Sequence, residues 1–427
     1  MQNRPAPPPD PELPVADRLL DGEASAEVLA RFLDDRGWRL LDHRVTQALY
    51  RPTRACTVRY AVRALPPKGF PRQLSLCATA RRRSWEITPP PSDFGLRFGL
   101  DDPLADLGDG TLLWAYPYDP RLPGLVDAAH GMTVRRALGL ARPAVVSVTS
   151  LRYRPGQRAA LRYTVLGSGG RQETLFGKVV GADAYGRIFD AYRTFAGSDV
   201  SLVPPRELPA VPGAAVFPEM AGQNLRDLIE EGGPLPAPSR LIDVLEDFAE
   251  IPWRGEAEPA TAEGSIRVAG RLLAHLLPHR AGPIRDAYRR LAELAARPVP
   301  SGMTVHGDFY EGQIFVRDDF SIGLIDLEDG GPGDPLLDAA NILAHMDVLH
   351  FYDPGLRGRS MAYRHLLRRE ILDRMGGHAA ELDWRESACL LLLATGPFRV
   401  QSPTWPRDTE RLLDWALDLL DPVRAAA

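Results

Sequence analysis

The spacing of apolar residues changes along the chain, and each change marks an element. Val28, Leu29, Phe32 and Leu33 recur at helical spacing and predict an amphipathic helix over about residues 26–38. From 48 to 62 ("ALYRPTRACTVRYAV") apolar and polar residues alternate on either side of a Pro-containing turn, the pattern of two strands in a hairpin. The alternation returns at 151–165 ("LRYRPGQRAALRYTV") and runs into an apolar strand, "ETLFGKVVGA". Beyond Pro218 the period is helical. Leu225, Leu228 and Ile229 open one helix, and 242–251, 266–277 and 284–297 form three more. One stretch interrupts them, "TVHGDFYEGQIFVRDDFSIGLIDLED" at 304–329, with strands predicted at 303–305, 314–316 and 322–325. Helices then run to the end.

The two alternating segments are related. Tyr50, Pro52, Arg59 and Tyr60 match Tyr153, Pro155, Arg162 and Tyr163 at a constant offset of 103 residues, and "WAYPYD" faces "AVFPEM" at nearly the same offset. An ordered series of this kind points to an internal duplication of a strand-rich module of about a hundred residues. The copies diverge at the one residue that reads as chemical. The second carries Lys178 in its apolar strand, whereas the matching strand of the first, "RQLSLCATARRR", has no lysine.

Composition narrows the class. A chain of 427 residues exceeds one ordinary core, and 44% apolar with 25% charged residues is a globular balance. A net charge of −5 argues against nucleic acid as the main partner, and Arg81, Arg82 and Arg83 are too short a run to alter that. Three dispersed cysteines suggest neither a disulfide framework nor a zinc site, which fits a reducing, cytoplasmic setting. No apolar run is long enough for a membrane span. The N-terminal "MQNRPAPPPDPELP" has no apolar signal-peptide core and reads as a disordered Pro-rich tail over 1–16. Of 51 basic residues only Lys68 and Lys178 are lysines, so a lysine inside a strand asks why arginine does not serve there.

A lysine on a strand, then "HGD" on a loop, a carboxamide five residues after that Asp, and an Asp after a short strand make up the parts needed for phosphoryl transfer from a nucleotide. Lys178 would pair with the inner phosphates, since a compact ammonium fits a narrow cleft better than a guanidinium fork. Asp308 would orient or deprotonate the attacking hydroxyl. Gln313 and Asp326 would give oxygens to Mg²⁺. His306 is expected to brace the loop, with Glu328 and Asp329 behind the metal ligands or simply on a charged loop.

The segment "HGDFYEGQIFV…GLIDLEDGGPGDPLLDAANILAHM" resembles the aminoglycoside phosphotransferase family, of protein-kinase-like fold, from about Ser147 onward. The resemblance implies a small β-rich lobe and a larger helical lobe, here preceded by a degenerate copy of the small lobe. It divides the chain at 17–125, 126–220 and 221–427. It implies ATP as cofactor with Mg²⁺, a small-molecule hydroxyl as acceptor (a sugar or an aminoglycoside-like compound), a catalytic Asp308 and a metal-binding Asp326. Phe217, Glu219 and Met220 would lie in the hinge that reads adenine, and Asp334 and Asp338 would brace the catalytic loop. Three departures stand out: Gln313 where the family usually has Asn, no clear acidic partner for Lys178 beyond Asp190, and the extra first module. They motivate an alternative, a nucleotide-binding regulatory module that has lost catalysis. Asp347, Asp353, Asp408 and Glu410 are acidic candidates for meeting a polyamine, and Trp405 and Trp415 are aromatic candidates for stacking on a sugar.

Overall fold

The computed structural model describes residues 5–81, 87–167, 170–255, 262–297, 303–375 and 378–421. The chain divides into two compact units, one of residues 1–185, 206–218 and 397–406, the other of 186–205, 219–396 and 407–427.

The first unit opens with helices α1 (Pro14–Leu20) and α2 (Gly22–Asp34). Asp21 caps α2 by accepting the amides of Glu23 and Ala24, and the predicted stripe Val28, Leu29, Phe32 and Leu33 is buried. Strands β1 (Arg39–Arg51), β2 (Ala55–Leu65) and β3 (Arg72–Arg81) follow, then helix α3 (Phe94–Phe98) and strands β4 (Leu104–Asp106) and β5 (Thr111–Ala115). They form an antiparallel sheet in the order β1-β2-β3-β5-β4. Cys56, Val58, Tyr60, Val62 and Ala64 of β2 are buried in alternation, as a sheet with one covered face requires.

Helices α4 (Leu125–Ala128) and α5 (Gly131–Ala137) lead into β6 (Val145–Arg154), β7 (Arg158–Leu166) and β8 (Gln172–Val180). Helix α6 (Ala182–Phe195) and the short β9 (Ser201–Leu202) come next, then β10 (Arg206–Glu207) and β11 (Ala214–Pro218). The second sheet, β6-β7-β8-β11-β10, repeats the order of the first. The duplication extends to single rungs. Lys178 lies between Ala160 and Ala215; residues 103 earlier, Thr57 and Leu112, flank Thr79. Thr79 therefore fills the lysine's position, buried and with its hydroxyl 2.8 Å from that of Thr57. The two sheets share one core, to which Cys77 and Trp114 contribute from the first and Tyr153 and Leu161 from the second, so the modules expected at 17–125 and 126–220 are not packed separately.

The Pro-rich stretch expected to be a disordered tail through residue 16 is different in the structure. Asp10, Leu13 and Ala16 are buried, because Asp10 is bound by the first hairpin and α1 packs its apolar side inward. Residues 1–4, and Arg82 and Arg83 of the arginine run, lie outside the described residues.

The second unit is mostly helical. After β12 (Gln223–Asn224) come α7 (Leu225–Glu231), α8 (Pro238–Glu250), α9 (Ala262–Leu276) and α10 (Ala281–Ala295). The interrupting segment supplies β13 (Thr304–Val305), β14 (Ile314–Val316), β15 (Ile322–Leu324) and β16 (Gly331–Pro332). It is followed by α11 (Pro335–Tyr352), α12 (Arg357–Arg374) and α13 (Ala379–Leu393); α14 (Gly396–Arg399) lies almost wholly in the first unit, and α15 (Trp405–Leu420) returns to the second. The hairpin β14–β15 pairs with β12 on one side and β9 on the other, and β13 pairs with β16, closing the base of the loop between them. Among the described residues no helix is long and apolar enough to cross a membrane.

Candidate active site

The loop of residues 306–313 is fixed from behind by one carboxylate. Asp338, on the first turn of α11, accepts the amide of His306 at 2.7 Å and that of Gly307 at 3.0 Å. Burial pushes its carboxyl up to about 7, against the pull of backbone amides at His306, Gly307 and Phe309. Asp334 caps α11 through the Leu336 amide and pairs with Arg385 at 2.6 Å. Asp338 thus braces the loop directly, whereas Asp334 fixes the start of the helix that carries it. Gly307 is required where it stands: its φ is +82°, and a Cβ would lie 2.1 Å from the carbonyl oxygen of Asp329.

His306 ties the loop to the second acidic motif. Its ring is fully buried; Nδ1 accepts the Asp308 amide at 3.3 Å, so Nε2 carries the proton and donates to the Ile325 carbonyl at 3.0 Å. Burial lowers its pKa to about 4, leaving the ring neutral at physiological pH. Phe309 anchors the other flank, with its side chain buried and its carbonyl accepting from Asn341. Asp308, between these anchors, is partly exposed.

Gln313 and Asp326 are brought together. The amide nitrogen of Gln313 donates to Asp326 Oδ2 and to the Tyr310 hydroxyl, each at 3.2 Å, and the Ile325 amide donates to the Gln313 carbonyl. Asp326 sits in the left-handed region at φ +60°, which Asp tolerates better than most residues. Behind it Glu328 is buried and Asp329 half-buried. Burial, and then Asp326 and Glu328, push the Tyr192 hydroxyl of α6 well above its usual pKa.

Several partners were not legible from the sequence. Tyr310 stacks on His345 at 4.2 Å. Glu311, fully buried, is gripped by Arg226 at 2.6 Å, and Asn224 donates to the Gly312 carbonyl, so the start of α7 holds the turn that leads to Gln313. These pairs are separated by tens of residues, and no local pattern announces them.

Lys178 belongs to the first unit and Asp308, Gln313 and Asp326 to the second. Lys178 is only 7% exposed, whereas Lys68 is exposed. A buried ammonium needs compensating groups. Asp190, the weak candidate for one, bonds Arg193 on its own helix. Phe217, opposite Phe176 in the ladder, is half-buried at the end of β11, and the boundary between the units follows the next residue. Met220 is buried, and a Cβ on Gly323 would lie 2.8 Å from its sulfur.

The acids considered for a polyamine are each engaged. Asp347 pairs with Arg364 at 2.8 Å, Asp353 caps a turn at Gly355, Asp408 pairs with Arg407, and Glu410 meets His279 at 2.6 Å. Trp405 is buried against Phe398 and bonded to the Pro5 carbonyl, which rules it out as a stacking platform; Trp415 packs on His350 and Phe351.

The match to a known family falls mostly on the second unit. Residues 189–377 match the family model described as "Phosphotransferase enzyme family", a stretch that contains Asp308, Gln313 and Asp326 but not Lys178. Among curated proteins none matches. Solved structures similar to this chain include a thermostable mutant of aminoglycoside phosphotransferase APH(4)-Ia in its apo form, at 16% identity and TM-score 0.45, covering 69% of this chain and 98% of that one. An ethanolamine kinase from Plasmodium vivax is similar at 12% identity and TM-score 0.43, over 68% and 86%. A choline/ethanolamine kinase family protein from Mesorhizobium loti stands at 16% and 0.42, over 64% and 88%. Likenesses this low transfer no substrate. The α+β chain, with its duplicated sheet and its "HGD" and "LIDLED" motifs, resembles the aminoglycoside phosphotransferases, and residues 189–377 carry the match to that phosphotransferase family.

Proposed function

We propose that the protein is an ATP-dependent phosphotransferase that moves the γ-phosphoryl group to a hydroxyl of a small molecule. The observation that supports this reading is the bracing of residues 306–309, Asp308 among them, by Asp338 and His306, on a segment that also bonds Gln313 to Asp326. A reaction that depends on positioning needs a loop held this firmly. Asp308 accepts the proton of the acceptor hydroxyl as its oxygen bonds the γ-phosphorus. The bond to the β–γ bridging oxygen breaks, and ADP leaves with that electron pair. Lys178 pairs with the inner phosphates, and the backbone around Phe217, Glu219 and Met220 reads the adenine edge.

Asp326 and Gln313 offer a carboxylate and a carboxamide, the oxygen donors Mg²⁺ takes, and they fit it once the Gln313 amide turns its oxygen inward. Bound there, the ion would neutralise charge on the phosphate oxygens. The acceptor is a sugar or an aminoglycoside-like compound. The engagement of Asp347, Asp353, Asp408 and Glu410 supports a neutral hydroxyl compound over a polyamine.

A second reading, a nucleotide-binding module without catalysis, is favoured by the bond from the Gln313 amide nitrogen to Asp326, which a metal ion would have to displace. Incubation with Mg·ATP and a panel of hydroxyl acceptors, beside Asp308→Ala, separates the two. The phosphotransferase reading expects ADP release that falls about 10²- to 10⁴-fold in the variant, with ATP binding retained. ADP release unchanged in the variant removes Asp308 from the mechanism. ATP binding that ignores Mg²⁺, with no acceptor phosphorylated, favours the module.

A further inference from the structure

Each sheet fastens its first hairpin with the same three-bond device, and the second copy of that device holds the turn that matters for a nucleotide. In the first copy Asp10 Oδ2 accepts the Tyr50 hydroxyl at 2.7 Å and the Thr53 amide at 2.6 Å, while Oδ1 accepts the Glu12 amide at 3.1 Å. In the second, Asp119 Oδ2 accepts the Tyr153 hydroxyl and the Gly156 amide, both at 2.7 Å, while Oδ1 accepts the Arg121 amide at 2.8 Å. The hairpin positions correspond at the offset of 103, and so do their conformations: φ is +66° at Thr53 and +69° at Gly156. The turns close alike, Arg54 onto Arg51 and Gln157 onto Arg154, each at 3.0 Å. Both carboxylates are buried, 2% and 1% exposed, and both begin an Asp-Pro-x-Leu-Pro run, Asp10 to Pro14 and Asp119 to Pro123.

What differs is what the hairpin serves. In kinase-type phosphoryl transfer a Gly-containing hairpin covers the phosphates, and the lysine stands on the third strand of the same sheet. Lys178 is on β8, the third strand of the second sheet, and the β6–β7 turn holds Pro155 and Gly156. Such a turn is useful only if its amides hold still when the phosphates arrive, and a free glycine turn does not. Asp119 lies on the connection out of the N-terminal module. Its neighbour Trp114, on β5 of the first sheet, donates to the same Tyr153 hydroxyl at 3.0 Å. The first module is thereby bonded directly to the latch of the second.

We propose that Asp119 is a positioning residue for the nucleotide: through Gly156 and Tyr153 it holds the β6–β7 turn in the shape that covers the phosphates, and so gives the lysine-free module a role in nucleotide binding. The inference rests on the reading of Lys178 as a phosphate ligand. Its test uses the internal control that the duplication supplies. Asp119→Asn and Asp10→Asn keep size and fold while removing the charge and replacing one acceptor oxygen with a donor, so that at least one of three convergent donors loses its partner. The full-length chain is titrated with Mg·ATP by calorimetry, kcat and the KM for ATP are measured, and amide exchange is followed at Gly156 and Thr53.

Asp119→Asn is expected to raise Kd and KM for ATP about tenfold with kcat within twofold, the size of one hydrogen bond to a charged group. It should also speed exchange at Gly156. Asp10→Asn should speed exchange at Thr53 and leave ATP affinity within twofold. Wild-type affinity in Asp119→Asn, or an equal loss in Asp10→Asn, overturns the proposal while the phosphate role of Lys178 stands. A wild-type chain that binds no ATP overturns the reading of Lys178 first, and this inference with it.

Discussion

The two sheets of the first unit are built to one plan and carry different groups at the central rung. Both have the strand order of a five-stranded antiparallel sheet, a first hairpin closed by the same turn, and a buried Asp receiving a Tyr hydroxyl and a turn amide. At the central rung the second copy places Lys178 and the first places Thr79. The long helix α6 follows β8, whereas the five-residue α3 is the helix described after β3. The framework was therefore kept in both copies while the residue at this rung was not. A buried lysine costs several kcal/mol in desolvation and persists only where something repays it. A threonine bonded to its cross-strand neighbour settles the same position with neutral groups.

That contrast can be broken or sharpened by substitution. The largest effect is expected at the rung itself. Lys178→Met keeps the aliphatic length but removes the charge, and should lower phosphoryl transfer about 100-fold or more, in the range for removing a preorganised group that stabilises charge. Steady-state rates at saturating acceptor check this, and a rate within threefold of wild type would leave the two copies chemically equivalent.

The next effect separates the units by pH. His306 has its pKa lowered to about 4 by burial, so its folded value lies below its unfolded value of 6.5. Its contribution is present above pH 6.5 and lost as pH falls toward 4, because only the unfolded chain takes up the proton there. The shift corresponds to about 3 kcal/mol. Neither latch in the first unit depends on a histidine. Denaturant midpoints between pH 7 and pH 4 should fall, and His306→Gln should flatten that fall; an unchanged slope would place the acid sensitivity elsewhere.

Smaller again are the latches. Tyr50→Phe and Tyr153→Phe each remove a bond to a buried carboxylate and should destabilise by about 1.5–3 kcal/mol, with the larger loss at Tyr153→Phe, where the Trp114 donor loses its acceptor as well. Chemical denaturation measures both, and a larger loss in Tyr50→Phe would contradict this. Thr79→Val is the mildest, at about 1 kcal/mol for one neutral hydrogen bond, with ATP binding untouched.

Much of this was legible in local pattern. The duplication was readable because Tyr50, Pro52, Arg59 and Tyr60 recur at one spacing, and the hairpin of 314–325 because a two-residue period between turn residues has few alternatives. The latch escaped because Asp10 and Asp119 differ by 109 residues, not 103, and because a Pro-rich run has the composition of a disordered segment. Donors forty residues on, Tyr50 and Thr53, help to order it. Around Asp308, the bracing by Asp338 followed from the motif. The grip of Arg226 on Glu311 and the stacking of Tyr310 on His345 did not, since each joins elements that only tertiary folding brings together.

The account stands most directly on how many nucleotides one chain binds. Calorimetric titration of the full-length protein with Mg·ATP should give one site per chain, and that site should vanish in Lys178→Met while Thr79→Val retains it. Two sites per chain, or an undiminished site without the lysine, would contradict the assignment of nucleotide binding to the second sheet alone.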